Sequence, residues 1–230
     1  MIKLILWDVD GTLLDFIAAE RVGIRKCFEH FSLGVCTDEM LETYSAINVR
    51  YWEALEKGEM TKPEILVGRF TEFFATVGID PALASPFNSE YQQRLGDTAV
   101  FFPCAFETVK ALYGKLPQCV VSNGTKEVQH RKLTSSGLKP LMEHLFISDE
   151  IGFEKPAKEF FCPVFAAYPD IRPDEMLIVG DSLTSDMKGG ENAGIMTCWF
   201  NPDGKINDKG VRVDREIRSL TEVQAIAAMA

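Results

Sequence analysis

The 230-residue sequence lacks the cysteine and histidine patterns of a zinc-binding module. Its six cysteines are scattered and form no CxxC pair, and its three histidines do not have the spacing of metal ligands. A site built from cysteine and histidine ligands is therefore excluded. Scattered thiols are typical of a reducing compartment, so we expect a cytoplasmic protein.

Long hydrophobic runs are also missing. No stretch approaches the roughly 18 consecutive apolar residues that a membrane-spanning helix needs. The apolar residues at positions 2–7 are too few for a signal peptide and are followed by acidic residues. We therefore expect no membrane partner.

Positive charge is scarce, with 24 Lys and Arg against 34 Asp and Glu and a formal net charge of −10. A surface of this sign repels nucleic acid polymers and anionic membranes. A small anionic substrate could still bind, provided that one local cation faces it. The P-loop, G-x-G-x-x-G and H-E-x-x-H motifs are absent as well.

The sequence does contain a series of short apolar runs of strand length, separated by helical stretches. This alternation is typical of an α/β protein with a doubly wound, Rossmann-like parallel sheet. The predicted strands span residues 2–7, 118–122, 145–148, 176–180 and 195–200, and the predicted helices span 105–115, 125–136, 158–168 and 185–193. In such sheets ligands bind beyond the carboxyl ends of the strands.

Residues 16–95 interrupt this alternation and predict a separate helical domain. Thr61 and Glu64 have the spacing of a capping box at the start of one of its helices. The sequence predicts four helices in this insert. The α/β core is then formed by residues 1–15 and 96–230.

Two carboxylates, Asp8 and Asp10, follow the first predicted strand directly. Residues two apart on a strand point to the same face, so both could reach one site. Gly11 lets the chain turn away just after them. One carboxylate could then act as a nucleophile while the other transfers protons. The alternative is a strand-ending turn whose acids cap a helix.

Asp181 and Asp186 follow another predicted strand, within the segment 180–186. Carboxylates at a strand end suit a hard cation such as Mg²⁺, which prefers oxygen ligands. The alternative is a helix N-cap, for which aspartate and serine are both preferred residues.

Two further segments could bind an anion. Ser122 and Asn123 end a strand, where a hydroxyl and successive backbone N–H groups at a helix N-terminus can cradle a phosphate. An Asn-Gly turn alone would also explain them. Lys155 precedes a proline, which disfavours a helix and predicts a loop. Its ammonium could be the missing local cation, or it could be a solvated surface lysine.

In combination, the order Asp pair, Ser-Asn, Lys, Asp pair resembles the four motifs of the haloacid dehalogenase (HAD) superfamily. The resemblance covers nearly the whole chain, from residue 2 to about residue 201. It implies a phosphatase in which Asp8 attacks phosphorus and forms an aspartyl-phosphate. Asp10 would act first as general acid and then as general base.

The resemblance also implies the ligands of the site. Mg²⁺ would offset the charge between an anionic nucleophile and a phosphate dianion. Its implied ligands are Asp8, Asp181 and the backbone carbonyl of Asp10, with Asp186 in its outer shell. The implied phosphate-binding residues are Ser122, Asn123 and Lys155.

The helical insert lies where the superfamily places a type-1 cap, which closes over the site and reads the leaving group. The predicted specificity residues are Phe16, Asn48, Trp52 and Arg69, although the aromatic ones could instead form the core of the helix bundle. I-N-x-x-x-W at 47–52 and I-G-F-E-K-P at 151–156 resemble the bacterial pyrimidine 5′-nucleotidase subgroup. We therefore expect a nucleoside 5′-monophosphate as substrate, bound by a monomer or homodimer. Cys104 is one departure, because glycine is more usual there.

Other functions stay open at this point. A sugar-phosphate or phosphoglycolate phosphatase and a hexose-phosphate mutase share the motifs, and the mutase also shares the cap type. A 2-haloacid dehalogenase shares the nucleophile but needs neither a metal nor Asp10. A phospho-receiver module is about half this length. A catalytically idle HAD-fold binding protein would keep the fold without turnover.

Overall fold

Six strands form one parallel sheet in the computed structural model, which describes residues 1–229. The strands are β1 (Leu4–Trp7), β2 (Gln118–Ser122), β3 (His144–Ile147), β4 (Met176–Gly180), β5 (Met196–Phe200) and β6 (Arg215–Ile217). Their order across the sheet is β3-β2-β1-β4-β5-β6. The chain runs from β1 to one edge and then to the other, so the predicted doubly wound fold is confirmed.

The central strand β1 is buried on both faces, which explains why it is an unbroken apolar run. Ile5 and Trp7 pack on one face of the sheet, and Leu4 and Leu6 pack on the other. Each such side chain stabilises the fold by about 1.5–3 kcal/mol relative to an exposed one. The core therefore holds the strand rigidly up to the residue before Asp8.

Four helices follow β1. They are α1 (Phe16–His30), α2 (Asp38–Glu56), α3 (Lys62–Val77) and α4 (Ala84–Asp97), with a 3₁₀ turn at Pro81–Leu83. At the start of α3 the backbone N–H of Thr61 donates to Glu64 at 2.8 Å, in the predicted capping box. The bundle has an aromatic core, in which Tyr44 stacks on Phe70 with ring centroids 4.8 Å apart.

Six helices accompany the later strands: α5 (Ala105–Leu112), α6 (Lys126–Ser135), α7 (Ser148–Ile151), α8 (Cys162–Ala167), α9 (Lys188–Ala193) and α10 (Glu222–Met229). Shorter 3₁₀ turns span Lys139–Leu141, Lys158–Phe161 and Pro173–Glu175, and a π-helical turn spans Leu183–Met187. Two predicted helices, 158–168 and 185–193, are therefore wrong in their first turns, which are 3₁₀ and π-helical. β6 and α10 were not predicted, because both are shorter than the window that periodicity needs.

Cys104 lies just before α5 in the left-handed backbone conformation, with φ of 61°. A side chain is disfavoured there because its Cβ crowds the backbone, whereas glycine has no Cβ. This conformation explains why glycine is more usual at this position.

The chain divides into two compact units. One unit contains Met1–Phe16 together with the chain from Ala99 onward, and the other contains Ile17–Thr98. Phe16 thus groups with the α/β unit. Among residues 1–229, no helix combines the length and the apolar character that crossing a membrane requires.

Candidate active site

The carboxyl ends of three neighbouring strands carry four of the predicted site residues. Asp8 and Asp10 follow β1, Ser122 ends β2, and Asp181 follows β4. β1 pairs with β2 on one side and with β4 on the other. The winding direction of the sheet reverses at this place, which is where doubly wound sheets bind their ligands.

Lys155 lies at the centre of the cluster, with only 1% of its surface exposed. Its Nζ donates to Oδ1 of Asp8 at 2.9 Å, to Oδ1 of Asp186 at 2.5 Å and to the carbonyl of Val121 at 2.8 Å. Burial lowers the pKa of Lys155, but the charges of Asp186 and Asp8 outweigh that effect and raise it. The ammonium therefore stays charged. The alternative of a solvated surface lysine is wrong.

Asn123 fixes the loop that carries this lysine. Oδ1 of Asn123 accepts from the backbone N–H of Lys155 at 2.7 Å, and its Nδ2 donates to the Lys155 carbonyl at 2.8 Å. Next to it, Oγ of the buried Ser122 accepts from the N–H of Gly124 at 3.1 Å. The side chain of Asn123 is thus committed to positioning Lys155.

Three carboxylates crowd together beside Lys155. Asp8, Asp181 and Asp186 bring carboxylate oxygens within 4.8 Å of one another. Burial, and then the charge of Asp186, raises the pKa of Asp8 well above its usual range and the pKa of Asp181 to about 7. Oδ2 of Asp8 is buried without a hydrogen-bond partner among residues 1–229. These residues could hold a divalent cation, because such an ion offsets the repulsion and prefers carboxylate oxygen.

Asp186 differs from the other two because both of its oxygens are occupied. Oδ1 accepts from Lys155, and Oδ2 accepts from the N–H of Ser182 at 3.1 Å. The residue lies on the π-helical turn before α9, and single π turns are frequent at functional sites. Asp186 therefore orients Lys155 and the N–H of Ser182.

The turn after Asp8 approaches Asp181 closely. Gly11 has φ of 94°, and a Cβ added to it would lie 2.6 Å from the Asp181 carboxylate. Oγ1 of Thr12 donates to Oδ1 of Asp181 at 3.3 Å, and Nε1 of Trp199 donates to its carbonyl at 2.8 Å. Only glycine fits this turn, because any other residue would displace the Asp181 carboxylate.

Asp10 has two partners that the sequence analysis missed. Nε2 of Gln129 donates to its Oδ2 at 2.5 Å, and Nζ of Lys132 donates to its Oδ1. Both partners are buried on α6, three residues apart and so on one face of the helix. One signal was available in the sequence, because Lys132 lies four residues after the apolar Val128 and so on the same face of the helix.

The predicted specificity residues are spread over both units. Phe16 places its ring 5.7 Å from Nζ of Lys132. Within the helical unit, Nδ2 of Asn48 donates to Glu20 at 2.9 Å, and its Oδ1 accepts from Arg69 at 2.7 Å. Trp52 is partly buried on α2. Asn48 and Arg69 are thus engaged with each other, and a substrate contact by Asn48 would require it to give up one of these bonds.

A sequence profile of haloacid dehalogenase-like hydrolases matches residues 5–200. The chain belongs to this family. The predicted HAD resemblance is thereby confirmed, and the phospho-receiver alternative is wrong.

Individual relatives of this HAD-like hydrolase match along nearly its whole length. HAD-hydrolase YfnB of Bacillus subtilis (strain 168) is 37% identical over 97% of the chain and 94% of YfnB. The crystal structure of YfnB bound to magnesium matches with a TM-score of 0.92 over 98% of both chains. Pyrimidine 5′-nucleotidase YjjG of Escherichia coli (strain K12) is 27% identical over 96% of each chain. Pyrimidine 5′-nucleotidase PynA of Streptococcus pneumoniae (strain ATCC BAA-255 / R6) is 30% identical over 96% of this chain and 93% of PynA.

Proposed function

We propose that this HAD-family hydrolase is a magnesium-dependent phosphomonoesterase that uses Asp8 as its nucleophile. The environment of Asp8 carries the proposal. Lys155 holds one of its oxygens at 2.9 Å, and the other has no hydrogen-bond partner within residues 1–229 although it is buried. The hydrogen bond orients the carboxylate for attack. Burial of the other oxygen without a partner is unfavourable, and a bound cation would offset that cost.

The donor set fits Mg²⁺. Asp8 and Asp181 offer hard carboxylate oxygens, and the backbone carbonyl of Asp10 is the third proposed ligand. Asp186 is proposed to act from outside the direct shell, where it accepts hydrogen bonds from Lys155 and from the N–H of Ser182. When bound, the ion would neutralise charge on the phosphoryl group during transfer.

The two carboxylates after β1 would divide the chemistry between them. In the first step an oxygen of Asp8 bonds to phosphorus, the bond from phosphorus to the leaving oxygen breaks, and Asp10 gives that oxygen a proton. In the second step a water oxygen bonds to phosphorus, the bond to Asp8 breaks, and Asp10 takes the proton from the water. The products are the alcohol and inorganic phosphate.

Phosphate binding is proposed for Lys155, Ser122 and Asn123. All three N–H groups of Lys155 already donate to Asp8, Asp186 and Val121. Lys155 would therefore attract the phosphate through its charge and not through a further hydrogen bond. Such Coulomb attraction is strong at short range in a buried site. Ser122 would add its hydroxyl, and Asn123 would add its backbone N–H from the turn before α6.

A nucleoside 5′-monophosphate with a pyrimidine base is the proposed substrate. The support comes from YjjG and PynA, two pyrimidine 5′-nucleotidases that match 96% of this chain at 27% and 30% identity. Phe16, which groups with the α/β unit, remains a proposed stacking residue for a flat base. A 2-haloacid dehalogenase is disfavoured, because halide displacement needs neither Asp10 nor the Asp181 and Asp186 pair.

Turnover of a panel of phosphate esters tests this proposal. On one preparation, kcat/KM would be measured for dUMP, dTMP, dAMP, glucose 6-phosphate and phosphoglycolate, with Mg²⁺ and with EDTA. We expect the pyrimidine nucleotides to be the best substrates and EDTA to abolish turnover of all five. A sugar phosphate or phosphoglycolate that exceeds both pyrimidine nucleotides tenfold, about 1.4 kcal/mol of transition-state preference, would reject the nucleotidase assignment alone.

Two further outcomes separate the remaining alternatives. Full activity in EDTA would reject the metal-dependent mechanism. Absence of turnover for every ester, including p-nitrophenyl phosphate, would favour an idle binding protein. A coupled isomerisation assay would measure the conversion of glucose 1-phosphate into glucose 6-phosphate. Such conversion would instead identify a mutase.

A further inference from the structure

Lys132 is a second buried lysine in the α/β unit, and the mechanism above does not use it. It lies on α6 with 1% of its surface exposed, and its Nζ forms an ion pair with Oδ1 of Asp10. Removing an ammonium from water costs several kcal/mol, and a single partner rarely repays that cost. A buried lysine aimed at one carboxylate therefore points to a role beyond stability.

Gln129 binds the second oxygen of the Asp10 carboxylate. Its Nε2 donates to Oδ2 of Asp10 at 2.5 Å, while its Oε1 is buried without a partner in the described chain. Gly124 makes room for it, because a Cβ there would lie 2.2 Å from that Nε2. The amide of Gln129 thus lies where only a glycine at position 124 leaves room for it.

The two contacts together leave the Asp10 side chain little freedom. Without them this partly exposed carboxylate could rotate about its χ torsions. Each carboxylate oxygen has two acceptor sites, so one bond to each oxygen still leaves room for the exchanged proton. The ring of Phe16, 5.7 Å from Nζ of Lys132, restricts the ammonium from another side.

We propose that Lys132 and Gln129 are positioning residues that aim the Asp10 carboxyl group at the leaving oxygen. This inference rests on the proposed phosphatase function. General acid catalysis requires the donor to lie within hydrogen-bond reach of the atom it protonates. Loss of either residue should therefore impair proton donation and leave phosphate binding by Lys155 and Ser122 in place.

The leaving group provides the test, because a good leaving group needs little protonation. kcat/KM covers the steps up to its departure, and it would be measured for p-nitrophenyl phosphate and for the best alkyl ester of the panel. For Lys132→Met and Gln129→Leu we expect the alkyl ester to lose about 10–100-fold, less than the roughly 10²–10⁴-fold contribution of a general acid, because Asp10 itself remains. The aryl ester should lose less than about threefold, and Asp10→Asn should show the same selectivity at larger amplitude.

Lys126→Met is the matched control, because Lys126 is exposed on the first turn of the same helix and pairs with Glu150. It should leave both esters unchanged. Equal losses for both esters in Lys132→Met and Gln129→Leu, or no loss in either variant, would overturn the positioning role. In both variants the new side chain has a volume similar to that of the residue it replaces. One variant that folds is enough for the comparison. A wild-type protein that hydrolyses neither ester would overturn the proposed function and this role with it.

Discussion

At the scale of the residue, the buried ammonium of Lys155 organises two carboxylates of the candidate site. Lys155 bonds Asp8 and Asp186 at once, and Asn123 fixes its backbone. Lys155 thus keeps two carboxylates closer together than their mutual repulsion would otherwise allow. Electrostatic repulsion of this kind is typical of functional sites. Changing one carboxylate should therefore affect activity far more than stability.

Asp8→Asn tests this at the nucleophile. An amide is a poor nucleophile, so turnover should fall below about 1% of wild type. Lys155 would still pair with Asp186, and the unfolding free energy should not decrease, because one repelling charge is removed. Steady-state kinetics and urea unfolding of the purified variant measure both quantities.

Asp208→Asn is the control for this experiment, since Asp208 is an exposed aspartate in the chain after β5. It should retain wild-type turnover and stability. Residual activity of Asp8→Asn well above 1%, in protein free of contaminating phosphatase, would reject Asp8 as the nucleophile.

At the scale of the element, a buried polar cluster links three helices of the insert. Glu20 on α1 accepts from Ser45 at 2.5 Å and from Asn48 at 2.9 Å, both on α2. Asn48 in turn accepts from Arg69 on α3. Burial raises the pKa of Glu20 to about 7, although the bond from Ser45 and the charge of Arg69 oppose the rise. The three helices are thus joined by a group that titrates near neutrality.

The stability of this unit should depend on pH through Glu20. The folded-state pKa lies above the unfolded value of 4.5, so the folded state binds more protons between pH 4.5 and 7. The contribution of Glu20 is then fully present below pH 4.5 and is lost as pH rises through 7. We expect wild type to lose roughly 2–4 kcal/mol relative to Glu20→Gln across this window.

Urea unfolding at several pH values between 4 and 8 measures this difference. Glu42→Gln changes an exposed glutamate on α2 and should show no such dependence relative to wild type. A constant difference between wild type and Glu20→Gln over the whole range would show that Glu20 does not titrate in this window.

The crowded acids also bear on the stability of the whole molecule. The chain already carries a net charge of −10, and Asp8, Asp181 and Asp186 concentrate part of it between neighbouring strand ends. A cation that binds only the folded chain stabilises it by mass action. The resting stability of the protein should therefore depend on magnesium even without substrate.

Mg²⁺ should raise the midpoint of thermal unfolding. At a concentration about 100 times its Kd the gain is about 2.7 kcal/mol, which corresponds to a rise of about 5–10 °C for a chain of this size. Differential scanning fluorimetry in Mg²⁺ and in EDTA measures it. Asp181→Asn should lose the rise and Asp208→Asn should keep it; an undiminished rise in Asp181→Asn would place the ion elsewhere.

The sequence by itself determined the fold class and the order of the candidate residues along it. Apolar runs of strand length mark buried parallel strands, and polar residues directly after them must lie at one edge of the sheet. Asp8, Ser122 and Asp181 could therefore be placed together without a structure. The capping box at Thr61 was also readable, because its partners lie three residues apart.

Only the tertiary structure decided which of these groups touch. Lys132 and Gln129 lie 122 and 119 positions from Asp10 along the chain, and periodicity shows which helix face is buried without showing what that face meets. The same limit hid the burial of Lys155 and the engagement of both oxygens of Asp186. Such contacts depend on how α6 and the π-helical turn pack against the sheet, and packing of distant elements leaves no local signature in the sequence.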